Sequence, residues 1–254
     1  MLLIILVVIL IALALTILAR VINKHVADKN RKIVSLFLWI IILIFGFLTV
    51  KSILKPIQFE EDKKERFQLA VNKLLDLKKA QVGYKSLHGK YAASFDELVK
   101  FIESERFAII QRKDTSVIDR AKNAAYGVTV GADGVGGYFK DVVIIDTLGY
   151  IGVRDSLFKN SDSYKSLGMV KINDKLSVPV DMKTGEVDRK GIKLSTFQAI
   201  IDKNKILEGL DKDLIAAEKK KKEIDEITGD IIKLGSLEEV STTGNWPKQY
   251  GNNE

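Results

Sequence analysis

The chain has no cysteine, which excludes disulfides, thiolate metal sites and thiol nucleophiles and fits an exported domain. Histidine is almost as scarce. His25 and His88 are the only two, one in a short basic linker and the other in a turn, so a shared metal centre or a histidine-based triad is not expected. Charge of one sign is also in short supply. Of the net charge of +7, the first fifty residues supply +4, from Arg20, Lys24, Lys29, Arg31 and Lys32 against Asp28, leaving +3 on the other 204. Acids and bases are interspersed there almost one for one. A phosphate-binding surface needs Lys and Arg clustered away from acids, so nucleic acid is not expected as a partner.

Long apolar runs are what the chain does have. Residues 2–19 and 33–50 are eighteen residues each without a charge, separated by the basic linker 20–32. At about 1.5 Å per residue, each makes a helix of about 27 Å, enough for a hydrocarbon core of about 30 Å once flanking residues contribute. A cleaved signal peptide needs a positive n-region and a shorter apolar core. Met1 is followed directly by Leu2, so a retained helix is expected. The pattern predicts a two-helix transmembrane hairpin over residues 1–50. Five Lys or Arg in the linker place it in the cytoplasm by the positive-inside rule, and both chain ends then face outward. The bilayer is the first expected partner, and the expected location is the inner (plasma) membrane, two-pass, with the main domain extracytoplasmic.

Lys55-Pro56-Ile57 is expected to end the second membrane helix, because proline removes a donor and restricts the residue before it. A long helix restarts near Glu60. It begins with the acids Glu60, Glu61 and Asp62 and carries Phe67, Val71, Leu74, Leu75 and Val82 at three- and four-residue steps, an apolar stripe that expects a partner. Gly89 suits its C-terminal cap. Ser94 with Glu97 three residues on is a capping box for a short helix through Leu98, Phe101 and Ile102. From Arg106 the segments FAIIQR, YGVTV, DVVIID, YIGVRD, MVKI and LSVPVDM read as strands, with turns expected at residues 147–149 and 183–185. Residues 211–227 are expected to be helical, with Glu218 to Lys222 and Lys219 to Glu223 as supporting pairs and the four lysines on a solvated face. Residues 230–240 add a last strand, and residues 241–254 form a polar tail. Trp246 in that tail is expected to pack back on its own domain.

Residues 131–137 (GADGVGG) lack the lysine and hydroxyl of a P-loop and precede a strand, so a surface loop is expected rather than a phosphate site. Asp133, Asp141 and Asp146 follow no EF-hand pattern. No catalytic residue, cofactor or metal ligand is assigned.

The segment LKKAQVGYKSLHGKYAASFDELVKFI, within residues 67–103, is a long helix ending in A-Q-x-x-Y-K, an H-G-x-Y turn and a short helix. It resembles the start of the globular part of type II secretion pseudopilins and type IV pilins, which implies a continuation into an antiparallel sheet. Neither apolar run carries the glycine cleavage motif or the glutamate of those proteins. The chain is also similar to a group of membrane-anchored proteins of Bacteroidota-type bacteria. The likeness lies in K-P-I-x-F (residues 55–59), A-Q-x-x-Y-K (80–85), V-R-D-S-L-F (153–158), V-P-V (178–180), G-L-D-x-x-L-I (209–215), L-G-S-L-E (234–238) and G-N-W (244–246). It implies membrane anchoring and assigns neither an activity nor the lack of one.

The expected architecture is α+β. A two-helix hairpin with helices 2–19 and 33–50 precedes a juxtamembrane long helix and short helix over residues 51–105. A mainly antiparallel β domain over residues 106–240 follows, pilin-like, with its C-terminal helix 211–227 and the tail 241–254. The expected function is non-enzymatic: an envelope component that assembles with itself or another envelope protein through Phe59, Phe67, Val71, Leu74, Leu75 and Trp246. The alternative is a membrane-tethered extracytoplasmic ligand-binding or enzymatic domain. A deep pocket with converging acids favours the alternative, and an exposed apolar patch favours assembly. If the stripe is spent wholly on its own sheet, the part outside the membrane is expected to be monomeric.

Overall fold

A computed structural model describes residues 16, 17, 20, 28–129, 136–159, 161–220 and 226–251. The chain divides into two compact units, Met1–Glu61 and Asp62–Glu254.

In the first unit the dominant element is the opening part of helix α1, Asp28–His88. Among the described residues α1 is the one helix long and apolar enough to cross a membrane, with a mean hydropathy of 2.9 over its most apolar window. None of that window is buried by protein. Phe37, Trp39 and Leu43 are 61–67% exposed. Thr49 Oγ1 donates to the Phe45 carbonyl at 2.7 Å, so its hydroxyl is satisfied without water. The expected first span, residues 2–19, and most of the linker 20–32 lie outside the described residues.

Pro56 does not end the helix. It sits inside α1, where it removes one N–H from the ladder, and strong helix formers on both sides carry the backbone through.

In the second unit the rest of α1 forms one wall of the core. Phe67, Ala70, Val71, Leu74, Leu77 and Ala80 are fully buried, the spacing of one helical face. Leu75 is half-buried and Val82 is exposed, so the expected stripe is right in its first part and drifts off the buried face at its end. Gln81, one residue before Val82, holds that face instead. Gly89 closes α1 at φ +74°, its N–H donating to the Lys85 carbonyl at 2.8 Å. Helix α2, Phe95–Ser104, starts on the expected reciprocal cap: Ser94 Oγ accepts from Glu97 N at 3.2 Å and Glu97 Oε2 accepts from Ala93 N at 2.8 Å. It buries Leu98, Phe101 and Ile102.

Strands β1 (Arg106–Ile118) and β2 (Phe139–Gly152) pair antiparallel as a separate two-stranded ribbon, with the short helix α3 (Arg120–Ala125) near its far end. Helix α4, Val153–Phe158, follows directly. The segment YIGVRD, expected as one strand, is therefore split: β2 ends at Gly152, and Val153 turns inward as a fully buried helical residue. Tyr126 and Gly127, expected in a strand, form a turn. The expected turn at 147–149 is instead a β-bulge, where the register skips Leu148.

Strands β3 (Met169–Lys171) and β4 (Ser177–Pro179) make a small hairpin. The main sheet is antiparallel with order β5-β6-β7, from Asp181–Arg189, Ile192–Asp202 and Ile231–Ser236. Its turn is Lys190-Gly191, both at positive φ (56° and 83°), with Asp188 Oδ1 accepting from Gly191 N at 2.8 Å. Residues 183–185, expected as a turn, run through the middle of β5. The central strand β6 buries Phe197, Ala199 and Ile201 against Ile232 and Leu234 of β7. Helices α5 (Lys203–Ile206) and α6 (Lys212–Lys220) lie between β6 and β7 in sequence. The described part of α6 stops at Lys220, and residues 221–225 lie outside the described residues.

The turn after α1 is locked by one side chain. Gln81, fully buried, donates from Nε2 to the Ala92 carbonyl at 3.0 Å and accepts at Oε1 from Ala92 N at 2.9 Å. Tyr91 N donates to Ser195 Oγ at 3.1 Å, and the Tyr91 ring lies 4.6 Å from that of Phe197. Gln81→Met leaves both backbone groups of Ala92 unpaired in the core, and is expected to lower stability by about 3 kcal/mol in chemical denaturation of the detergent-solubilised chain.

Candidate functional site

The residues singled out as an assembly face are mostly interior. Phe59 is 5% exposed, Trp246 1%, and Phe67, Val71 and Leu74 are fully buried. Phe67 meets Tyr250 edge-on at 6.1 Å, and Leu75 and Val71 lie against Gly251. The C-terminal segment, expected as a polar tail, is therefore structural from Gly244 to Gly251. Trp246 packs back on its own domain, and an isolated bridge pairs Leu234 with Gly244.

A buried ionic cluster lies beside that stripe. Lys63 Nζ reaches Glu218 Oε2 and Glu226 Oε1, each at 3.0 Å, and Lys203 Nζ reaches Glu218 Oε1 at 3.3 Å and the Ile227 carbonyl at 2.6 Å. Lys63, Lys203 and Glu218 are all within 2% of complete burial. The expected helix partner of Glu218, Lys222, lies outside the described residues; Glu218 itself points inward, toward cations from α1 and α5. Two ammonium groups on one carboxylate offset the desolvation that each alone would suffer. The cluster joins α1, α5 and α6, and its chemistry is that of a rivet.

Near the turn, Glu105 Oε1 lies 2.9 Å from His88 Nε2, and the His88 ring stacks on Tyr84 at 4.2 Å. Burial raises the Tyr84 phenol above its ordinary value, helped by the charges of Glu97 and Glu105. Tyr164, 1% exposed, is raised by burial and by the hydrogen bond it donates to Glu103 Oε1 at 3.1 Å. Lys73, whose ammonium donates to Ser166 Oγ at 3.0 Å, is lowered by burial against the opposing pull of Asp76. A cleft of about 350 Å³ runs along Lys233, Ser236, Glu238, Ser241 and Asn245. Its polar groups are engaged by the loop itself, since Asn245 Oδ1 accepts from Lys233 N at 2.8 Å and Asn245 Nδ2 donates to the Ile231 carbonyl at 3.0 Å. No group of three or more metal-ligating side chains occurs among the described residues. Asp141 is held by Ser116 Oγ at 2.5 Å, Asp146 is exposed on β2, and residues 130–135, including Asp133, lie outside the described residues.

The feature that remains unspent is the β1–β2 ribbon. Its base is anchored: Val153 N donates to the Glu105 carbonyl at 3.0 Å, and Phe107 meets Phe101 at 6.2 Å. Beyond Ala108 it is open to solvent. Ile110, Val143, Ile144, Ile145 and Leu148 are 45–63% exposed. Two strands alone are marginal in water, and thirteen paired residues leave two long open edges of unpaired N–H and C=O groups. The edges differ. Strand β1 carries Gln111, Arg112, Lys113 and Asp114 at its middle, whereas β2 carries Val142, Val143, Ile144 and Ile145. The sequence shows DVVIID as a strand, and its continuous apolar run does not tell whether a core covers it.

Compared with known proteins, the chain matches no family model, no curated protein and no solved structure.

Two outcomes test the site's surroundings. Glu218→Gln leaves Lys203 buried without its carboxylate and Lys63 with Glu226 alone, and is expected to cost about 3–5 kcal/mol in chemical denaturation, with Lys203→Met added to it recovering part of the loss. Tyr84 and Tyr164 favour the neutral phenol in the fold, so their contribution is fully present below pH 10.0 and is lost as pH rises above it. Lys73, lowered, acts in the opposite sense as pH approaches 10.5. The double variant Tyr84→Phe, Tyr164→Phe is therefore expected to lose less stability than the parent above pH 10, measured as denaturation midpoints across pH.

Proposed function

We propose that the protein is a non-enzymatic, membrane-anchored envelope component that works by assembly. In this reading residues 2–19 and 33–50 both span the inner membrane, the linker 20–32 faces the cytoplasm, and the α+β domain stands outside. The observation that carries it is the ribbon: two long strands with apolar side chains on both faces and open edges, fixed to an anchored domain at one end. Exposed apolar surface of this extent on a soluble domain marks a contact face. Phe67, Val71 and Leu74 are buried in their own domain, which by itself favours a monomer; in this reading the exposed ribbon, and not the stripe, carries assembly. Anchoring supports it further, because two-dimensional confinement raises the effective concentration of copies and partners.

Alkaline phosphatase and a green fluorescent protein, fused separately after Glu254 in a Gram-negative host, test the topology. Phosphatase activity without fluorescence is expected; fluorescence alone sinks the envelope assignment. A photo-cross-linking residue at Leu148 is expected to give a covalent adduct in membranes, whereas the same residue at Lys183, on the main sheet, is expected to give none. No adduct at Leu148 counts against assembly through the ribbon.

A further inference from the structure

Strand β2 has a pattern that suits a copy of itself. On one face it presents Lys140, Val142, Ile144 and Asp146 in succession, cationic at one end, anionic at the other and apolar between. Val143 and Ile145 lie on the opposite face. A twofold axis perpendicular to the sheet sets a strand antiparallel to its copy and keeps each face on its own side. Centred on Val143, that pairing puts Lys140 opposite the copy's Asp146, Val142 opposite its Ile144 and Val143 opposite its Val143, with every relation repeated by symmetry. Moving the centre to Val142 sets Lys140 against Ile144, and moving it to Ile144 sets Asp146 against Val142. Among face-preserving registers, the one centred on Val143 alone matches the charges.

We propose that β2 pairs with β2 of a second copy in this register, joining two ribbons into one four-stranded antiparallel sheet of order β1-β2-β2-β1. The proposal rests on the assembly function above and names its partner as the chain itself. Pairing satisfies the open row of backbone groups on β2 and puts apolar residues side by side. It leaves β1 outermost, where Arg112, Lys113 and Asp114 discourage a further strand, so the sheet stops at four. On the other face Asp141 comes opposite Ile145, and its carboxylate is already held by Ser116 Oγ of its own ribbon. The charges Lys113, Asp114, Asp141 and Asp146 on the two faces make a lipid surface a poor occupant.

The absence of cysteine makes the register directly readable, since every introduced thiol reports on one position. Residues opposite one another on antiparallel strands have Cα atoms about 4.5 or 5.5 Å apart, within the span of a disulfide. In membranes holding the full chain, oxidised with copper phenanthroline, Val143→Cys is expected to form a linked dimer. Lys140→Cys alone is expected to form almost none, because its own copy lies six residues away, about 20 Å. Co-expressed Lys140→Cys and Asp146→Cys chains are expected to link to each other. In the Val143→Cys chain, Lys140→Glu is expected to reduce linked dimer about tenfold, the two symmetry-related pairs both becoming like-charged. The exchange Lys140→Asp with Asp146→Lys is expected to restore it. A Val143→Cys chain that stays monomeric, or whose linking ignores the charge reversal, overturns the proposal. If Leu148 captures a different protein while Val143→Cys stays monomeric, self-pairing fails and assembly stands. Copper oxidation acts on either side of the membrane, so a failed topology leaves this assay intact.

Discussion

One face of helix α1, from Lys63 to His88, is the constraint on which the second unit depends. Successive side chains along it each hold a different part of the chain. Lys63 draws in α6 through Glu218, and Arg66 Nη1 donates to the Ile206 and Glu208 carbonyls, each at 2.9 Å. Gln68 holds the Tyr250 carbonyl at 2.7 Å, Lys73 the loop at Ser166, and Gln81 the backbone of Ala92. Between these polar contacts run Phe67, Val71, Leu74 and Leu77, which exclude water and so make each hydrogen bond count. A helix alone has no such obligation; the sheet and the C-terminal turn exist in this arrangement because they cover it.

That economy leaves the ribbon outside. Its base is fixed by Phe107 and Val153, but the core is complete without the rest of it. The long strands are therefore stabilised by their own cross-strand pairs and by whatever covers them. Within the second unit, Ile144, Ile145 and Leu148 stand 51–63% exposed while Phe67, Leu74 and Phe197 are fully buried. Charged residues concentrated on β1 and absent from the middle of β2 give the ribbon one edge protected by charge and one without that protection.

Legibility was uneven for physical reasons. The capping box at Ser94, the glycine stop at Gly89 and the first part of the α1 stripe follow from local rules of helix geometry, and each occurs as read. Strand β6 is hard to read because Ala199-Ile200-Ile201 is a continuous apolar run and Thr196 is buried beside Phe197, while Lys183-Thr184-Gly185 upstream resembles a turn and the turn is Lys190-Gly191. Val153 to Phe158 is rich enough in apolar residues to suggest a strand, yet it folds as a helix that buries Val153 and Phe158. Helix or strand is underdetermined over six residues; packing decides.

The sequence by itself determined the α+β class, the apolar span over residues 33–50 and the absence of thiol chemistry. These depend on composition and on periodicities that any tertiary arrangement must respect. Only the tertiary structure decided which apolar residues are spent on the interior and which are left facing out. Phe67 and Leu74 look no different in sequence from Ile144 and Leu148. Burial belongs to the arrangement of elements, which brings α1 under the sheet and leaves the ribbon without a cover.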